Sequence, residues 1–124
     1  MLLLKVRGWD RMRGKLKEVR DQFPEKVAKA QLEEARIELK EAQRRVPVDT
    51  GDLRRSGGVM QTIKKTRAGT MISTDIFFDM PYAIYVHEDL EANHPNGGQA
   101  KYLESVLMES APHMAERLAR RLRL

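Results

Sequence analysis

The sequence predicts an α+β fold in which long N- and C-terminal helices pack on a small antiparallel β-sheet. Three observations carry that expectation. Between residues 24 and 46, apolar side chains recur four and three apart, the period of one helix face. Residues 59–66 and 70–78 are rich in β-branched and aromatic side chains and flank a glycine-containing turn, as in a hairpin. From residue 99 onward the helical period returns. With 124 residues, one domain is expected: strand and helices over 1–46, a turn over 47–58, hairpin, YAIYVHE block and loop over 59–98, and a helix over 99–124.

Taken in order, Leu2 to Val6 reads as a short strand that Gly8 and Trp9 break. Asp10 is placed to cap a first helix whose apolar face is Met12, Leu16, Val19 and Phe23. Pro24 suits the first position of a second helix, because its missing N–H is unused there, and Glu25 suits the positive end of the dipole. That helix carries a small-then-large stripe of Ala28, Leu32, Ala35, Leu39, Ala42 and Val46, which lets a neighbour approach closely at the alanines. Val27, Ala30 and Ile37 form a second, weaker stripe, which reads either as a wide core-facing face or as a subunit contact.

Pro47 cannot continue a helix. In Pro47-Val48-Asp49-Thr50-Gly51, Asp49 and Thr50 can bond nearby amides and Gly51 can take a positive φ. Leu53 is expected to pin this turn to the core, with Arg54 and Arg55 near solvent or paired with carboxylates. On residue chemistry alone the segment is a helix stop. A hairpin follows, with a three-residue turn Arg67-Ala68-Gly69 and with Lys64 and Lys65 near its tip. Pro81 to Glu88 fits either a strand or a helix, and Pro81 at a first helical position favours a short helix. Asn93 to Gly98 is turn chemistry throughout. In the last segment Leu103, Leu107, Ala111, Met114, Leu118 and Leu122 share a face, and Pro112 predicts a kink or break, with Ser110 able to cap a fresh start.

Composition narrows the functional classes. The absence of cysteine rules out disulfides and thiolate metal sites. The apolar start MLLL is too short for a signal-peptide core, and no run approaches a membrane span, so a soluble, unsecreted protein is expected. Aromatics at 6% and charged residues at 33% imply a modest core that neighbouring subunits would supplement. The net charge of +5 sits in residues 1–20, with seven bases and two acids, whereas residues 68–100 hold five acids and no lysine or arginine. Such asymmetry fits nucleic-acid binding or subunits meeting head to tail. His87, Glu88, Asp89 and His94 are ligand-type residues, but their spacing matches no zinc motif, so no metal or cofactor is expected. Ser56, Ser73, Ser105 and Ser110 lack a nucleophile's context, so no catalytic residue is assigned and no enzyme is expected.

Three blocks carry a family resemblance: Pro47 to Ser56 (PVDTGDLRRS), Pro81 to Glu88 (PYAIYVHE), and His94 followed by Gly98 to Glu104 (GQAKYLE). In this order they resemble the siphophage head–tail neck or tail-completion proteins. Pro112 departs from that family's uninterrupted last helix. The resemblance marks Pro47, Asp49, Thr50, Gly51, Leu53, Arg54, Ser56, Tyr82, Ala83, Tyr85, His87, Glu88, Lys101 and Leu103 as motif residues. It implies a structural virion component, assembled in the host cytoplasm. Copies would form a ring, six-fold by preference, between the head connector and the tail tube. Its neighbours would be the stopper, tail terminator and tail tube, with DNA passing through the lumen. Arg11 and Lys15 on one side and Asp75, Asp79, Glu88 and Asp89 on the other are candidate subunit surfaces. The alternative is a small basic DNA-binding protein.

Overall fold

The computed structural model describes residues 2–4, 13–48, 51–90 and 98–124. Its elements are β1 (Leu2–Leu4), α1 (Arg13–Gln22), α2 (Pro24–Arg45), α3 (Asp52–Arg55), β2 (Gly57–Thr66), β3 (Gly69–Phe78), α4 (Ala83–Glu88), α5 (Tyr102–Ser110), a 3-10 turn (Ala111–His113) and α6 (Met114–Arg121). The fold is α+β, with helices towards both ends of the chain.

Helix α2 is the axis on which α1, α3, the β2–β3 hairpin, α5 and α6 pack. It begins with Pro24, carries Glu25 in its first turn and Arg44 and Arg45 in its last, each complementing the helix dipole. It stops at Val46, whose backbone is extended (ψ 132°) because Pro47 clashes with a helical residue before it.

The sheet has strand order β1-β3-β2, antiparallel throughout. Leu2 pairs with Phe78 and Leu4 with Ile76, while Gly57 through Thr66 pair with Phe78 through Gly69. Thr66 opposite Gly69 leaves a two-residue turn, Arg67-Ala68, shorter than the three expected, and the strand begins at Gly57, two residues earlier than expected. Alternation puts Ile72, Thr74, Ile76 and Phe78 on one face, as the sequence indicates. Ile76 and Phe78 are buried, and Thr74 Oγ1 donates to Gln31 Oε1 of α2 at 3.0 Å.

Two apolar clusters lie along α2. The larger joins Ala35, Ala42 and Val46 to Leu53, Ile76, Phe78, Ala83, Tyr102, Leu103, Val106 and Leu107. The smaller joins Leu16 of α1, Ala30 of α2, and Met114 and Leu118 of α6. Two buried carboxylates of α2 face the helices that follow Tyr102. Glu38 Oε1 accepts from the Ser110 hydroxyl (3.2 Å), which itself accepts from Arg117 Nη1 (2.9 Å). Glu34 accepts from Arg121 Nε at 2.7 Å. Burial, reinforced by Glu34 nearby, pushes the Glu38 carboxyl up to about 7.

Several expectations change. The break that Pro112 predicts is present, with α5 and α6 on either side of the 3-10 turn that contains it, but the helical segment starts at Tyr102 rather than at residue 99. Ser110 does not cap a fresh start, because its hydroxyl is spent on Glu38. Phe23 stands half exposed at the α1–α2 junction with the Lys26 ammonium 5.1 Å from its ring centroid. The second stripe of α2 divides: Val27 and Ala30 are buried within the chain, while Ile37 is 53% exposed. Asp10, Met12, Arg11, Asp49, Thr50, Glu91 and His94, and the side chain of Lys15, lie outside the described residues.

Candidate functional site

The three sequence blocks meet at one junction beside the C-terminal end of α2. Gly51 has φ +86°, a left-handed conformation that glycine adopts without a Cβ penalty, and it starts the single turn α3. That turn buries Leu53 in the larger cluster. Arg54 and Gln43 then make a reciprocal pair: Arg54 Nε donates to the Gln43 carbonyl (2.7 Å) and Gln43 Nε2 to the Arg54 carbonyl (2.9 Å). The Ser56 hydroxyl closes α3 on the Leu53 carbonyl at 2.6 Å, and the Ser56 carbonyl accepts from the Asp79 amide at 3.2 Å. Arg55 stays exposed and pairs with Asp52.

The third block returns to the first. Gly98 has φ +95°, and a Cβ there would come within 2.4 Å of Pro47 Cα. Only a glycine lets the two backbones lie this close. The next residue, Gln99, donates its amide to the Arg45 carbonyl at 2.8 Å. Arg45 also holds Glu109 of α5 through two parallel bonds (3.1 and 2.6 Å), the bidentate arrangement a guanidinium favours.

The second and third blocks are bound more tightly still. The Lys101 amide donates to the His87 carbonyl at 2.6 Å. Tyr102 is fully buried, donates its hydroxyl to the Ala83 carbonyl at 2.9 Å, and lies edge-on to both Phe78 and His87. Burial raises the Tyr102 phenol above its ordinary value, so it remains a neutral donor. His87, buried in α4, accepts the Glu104 amide on Nε2 at 3.1 Å. An acceptor at Nε2 places the ring proton on Nδ1, which lies 2.9 Å from Glu88 Oε1. An imidazole thus satisfies one of the open amides of the first turn of α5.

His87, Glu88 and Glu104 bring their ligand-type atoms within 4.8 Å of one another. Among the described residues Glu104, and not Asp89, completes this group; His94 lies outside the described residues. Both imidazole nitrogens are engaged, and the Lys101 ammonium pairs with Glu88 and lies 3.3 Å from Glu104 Oε2. Lys101 foremost, then His87, holds the Glu88 carboxyl below the usual carboxylate range. An incoming cation would have to displace an ammonium that already neutralises the carboxylates.

Of the motif residues, Pro47, Ala83, His87, Glu88, Lys101 and Leu103 come together at this junction, and Leu53 and Arg54 sit under the α2 end. Tyr82 and Tyr85 do not join it and stand exposed. Tyr102, which lies between the motif residues Lys101 and Leu103 without being marked by the resemblance, is the fully buried side chain that joins the second and third blocks. Of the candidate subunit residues, Asp79 and Asp89 are exposed, Asp75 is half-buried, and Glu88 is occupied by Lys101.

A family model described as "Bacteriophage HK97-gp10, putative tail-component" matches residues 10–88. That span covers the first two blocks and stops short of the third. No curated protein and no solved structure matches the chain. Among the described residues no helix is long and apolar enough to cross a membrane.

Proposed function

The chain belongs to the HK97-gp10-like family of bacteriophage tail components, and we propose that it is a non-enzymatic structural piece of the head–tail connection. In this reading copies form a ring, six-fold like the tail tube, between the head connector and the tail. The observation that carries the reading is how the motif side chains are used. His87, Glu88, Lys101 and Arg54 spend their hydrogen bonds on other parts of the same chain. Motif chemistry of this kind builds a rigid unit for assembly rather than a cleft for a substrate.

The test is loss of the protein during an infection. Without it, filled heads and finished tails should accumulate unjoined, and supplying the protein in trans should restore joined particles. An unchanged yield of joined particles contradicts the proposal. A second reading, a small basic DNA-binding protein, draws on exposed Lys64, Lys65 and Arg67 at the hairpin end. It requires duplex binding that weakens steeply with salt.

A further inference from the structure

Strand β2 forms one edge of the sheet. Two hydrogen bonds fix which of its backbone groups face outward. The Thr70 amide donates to Asp21 Oδ1 at 3.0 Å and so turns away from Lys65, its neighbour across the ladder. The Asp79 amide donates to the Ser56 carbonyl at 3.2 Å, so that pair faces inward. Inward and outward pairs alternate along an antiparallel ladder. Gly57, Val59, Gln61, Ile63 and Lys65 therefore point N–H and C=O away from β3, and among the described residues none of these groups has a partner. Folded proteins blunt a long free edge with proline, a bulge or charged side chains along it. β2 has no proline, keeps one register over all ten residues, and carries charge only at Lys64 and Lys65 beside the turn.

The strand also leaves an apolar side chain uncovered on each face. Ile63, 42% exposed, shares the face of Val59 and of Gln61, whose side chain bonds the Ala28 carbonyl of α2. Met60, 46% exposed, shares the opposite face with Thr62. A second β2, antiparallel and centred on Gln61, would set Val59 against the partner's Ile63 and Met60 against the partner's Thr62. This register engages all five outward residues of both copies and places Lys64 and Lys65 against the partner's Gly58 and Gly57. Parallel pairing would instead stack lysine on lysine, which is destabilising. The β1 edge is a poorer acceptor of a strand: Leu2 and Leu4 pair inward with Phe78 and Ile76, which leaves only Leu3 facing out among its described residues.

We propose that two free copies of this chain pair through β2, antiparallel about Gln61, so that their sheets become continuous. The occupant of the edge is a second copy because the strand complements itself: one register satisfies every outward backbone group, covers Ile63 and Met60, and keeps the lysines apart. The same surface serves both copies, so the contact closes on itself and does not propagate. The proposal goes beyond the ring reading. A two-fold pair has equivalent ends, whereas a ring between head and tail presents two different faces, so the pair is the state of the protein before it enters a particle. Pairing there shields an edge that would otherwise recruit other strands.

The experiment is sedimentation equilibrium of the full-length protein up to its solubility limit, which should give the mass of two chains. Ile63→Pro removes an outward N–H that the hairpin does not use, a position where an edge strand tolerates proline. It should weaken pairing by about tenfold or more and leave the circular-dichroism spectrum unchanged. Register is read separately. The chain has no cysteine, so Met60→Cys and Thr62→Cys proteins, mixed and oxidised, should give chiefly the mixed disulfide, since these residues face each other across a non-hydrogen-bonded pair. This cysteine pair decides the matter if the proline variant does not fold. Monomer at every concentration, pairing that Ile63→Pro leaves intact, or oxidation without the mixed disulfide overturns the proposal. Assemblies larger than two chains that Ile63→Pro dissolves also overturn it, in favour of a heterologous contact. Failure here leaves the infection experiment unaffected, so the surface and the role are tested separately.

Discussion

His87 Nε2 accepts the backbone amide of Glu104 at 3.1 Å, so a side chain of α4 caps the first turn of α5. The two helices are separated in sequence by a segment that includes residues 91–97, yet this bond, the Lys101 amide on the His87 carbonyl and the Tyr102 hydroxyl on Ala83 tie them into one unit. His87→Ala would leave the Glu104 amide without its acceptor and empty a buried ring volume. A loss of about 1–3 kcal/mol is expected from the orphaned group alone, measured by urea unfolding. Stability equal to that of the parent would show that the cap contributes nothing.

Two glycines at positive φ should respond differently to alanine. At Gly98 the new Cβ meets the backbone of Val46 and Pro47, which cannot step aside. At Gly51 it meets the Arg55 guanidinium, which can swing away. Gly51→Ala should cost about 1 kcal/mol and Gly98→Ala clearly more. Thermal unfolding of the two variants checks the order, and a reversed order would mean that the Pro47–Gly98 contact is not tight.

Leu53, Arg54 and Arg55 are adjacent in sequence and differ in fate. Leu53 is buried among α2, β3 and α5, so Leu53→Ala should cost about 2–5 kcal/mol. Arg54→Ala removes the bond to the Gln43 carbonyl and should cost on the order of 1 kcal/mol. Arg55→Ala, on an exposed pair, should stay within about 0.5 kcal/mol. Denaturant midpoints for the three variants read this series directly. If Arg55→Ala damaged folding most, the turn would be a contact surface before it was a hinge.

Much of this frame is legible in the sequence. Pro24, Pro47 and the four-three spacing delimit α2, alternation locates the hairpin, and Pro112 marks the break between α5 and α6. What escapes is long-range polar pairing. Glu34 and Glu38 look like solvent-facing helix residues, because the partners that permit their burial, Arg121 and Ser110, lie 87 and 72 residues further on. The partner of His87 is hidden for the same reason: periodicity says nothing about which amide an imidazole will reach. Ile37 shows the converse, an apolar residue at stripe spacing that the fold leaves exposed. The blocks are visible as strings, but their meeting at Tyr102 is a property of the tertiary fold.

Glu38 gives stability a pH dependence. Its carboxyl rises from 4.5 to about 7 in the folded chain, so between these values the folded state holds a proton that the unfolded state has released. Stability from this group is therefore full below about pH 4.5, falls as pH rises, and levels off above about pH 7. The total change is at most about 3 kcal/mol. Glu38→Gln keeps an acceptor for the Ser110 hydroxyl and cannot ionise. Unfolding measured from pH 5 to 8 should show the parent losing stability relative to this variant, and parallel curves would contradict the burial of a titrating carboxyl.

The most direct measurement is imaging of assembled particles at a resolution that traces this chain. The predicted result is a closed ring of copies at the head–tail junction, each with the Pro47–Gly98 and His87–Glu104 contacts intact. Density for the chain only in the capsid shell or at the distal tail tip, or particles that lack it altogether, would contradict a structural role in joining head to tail.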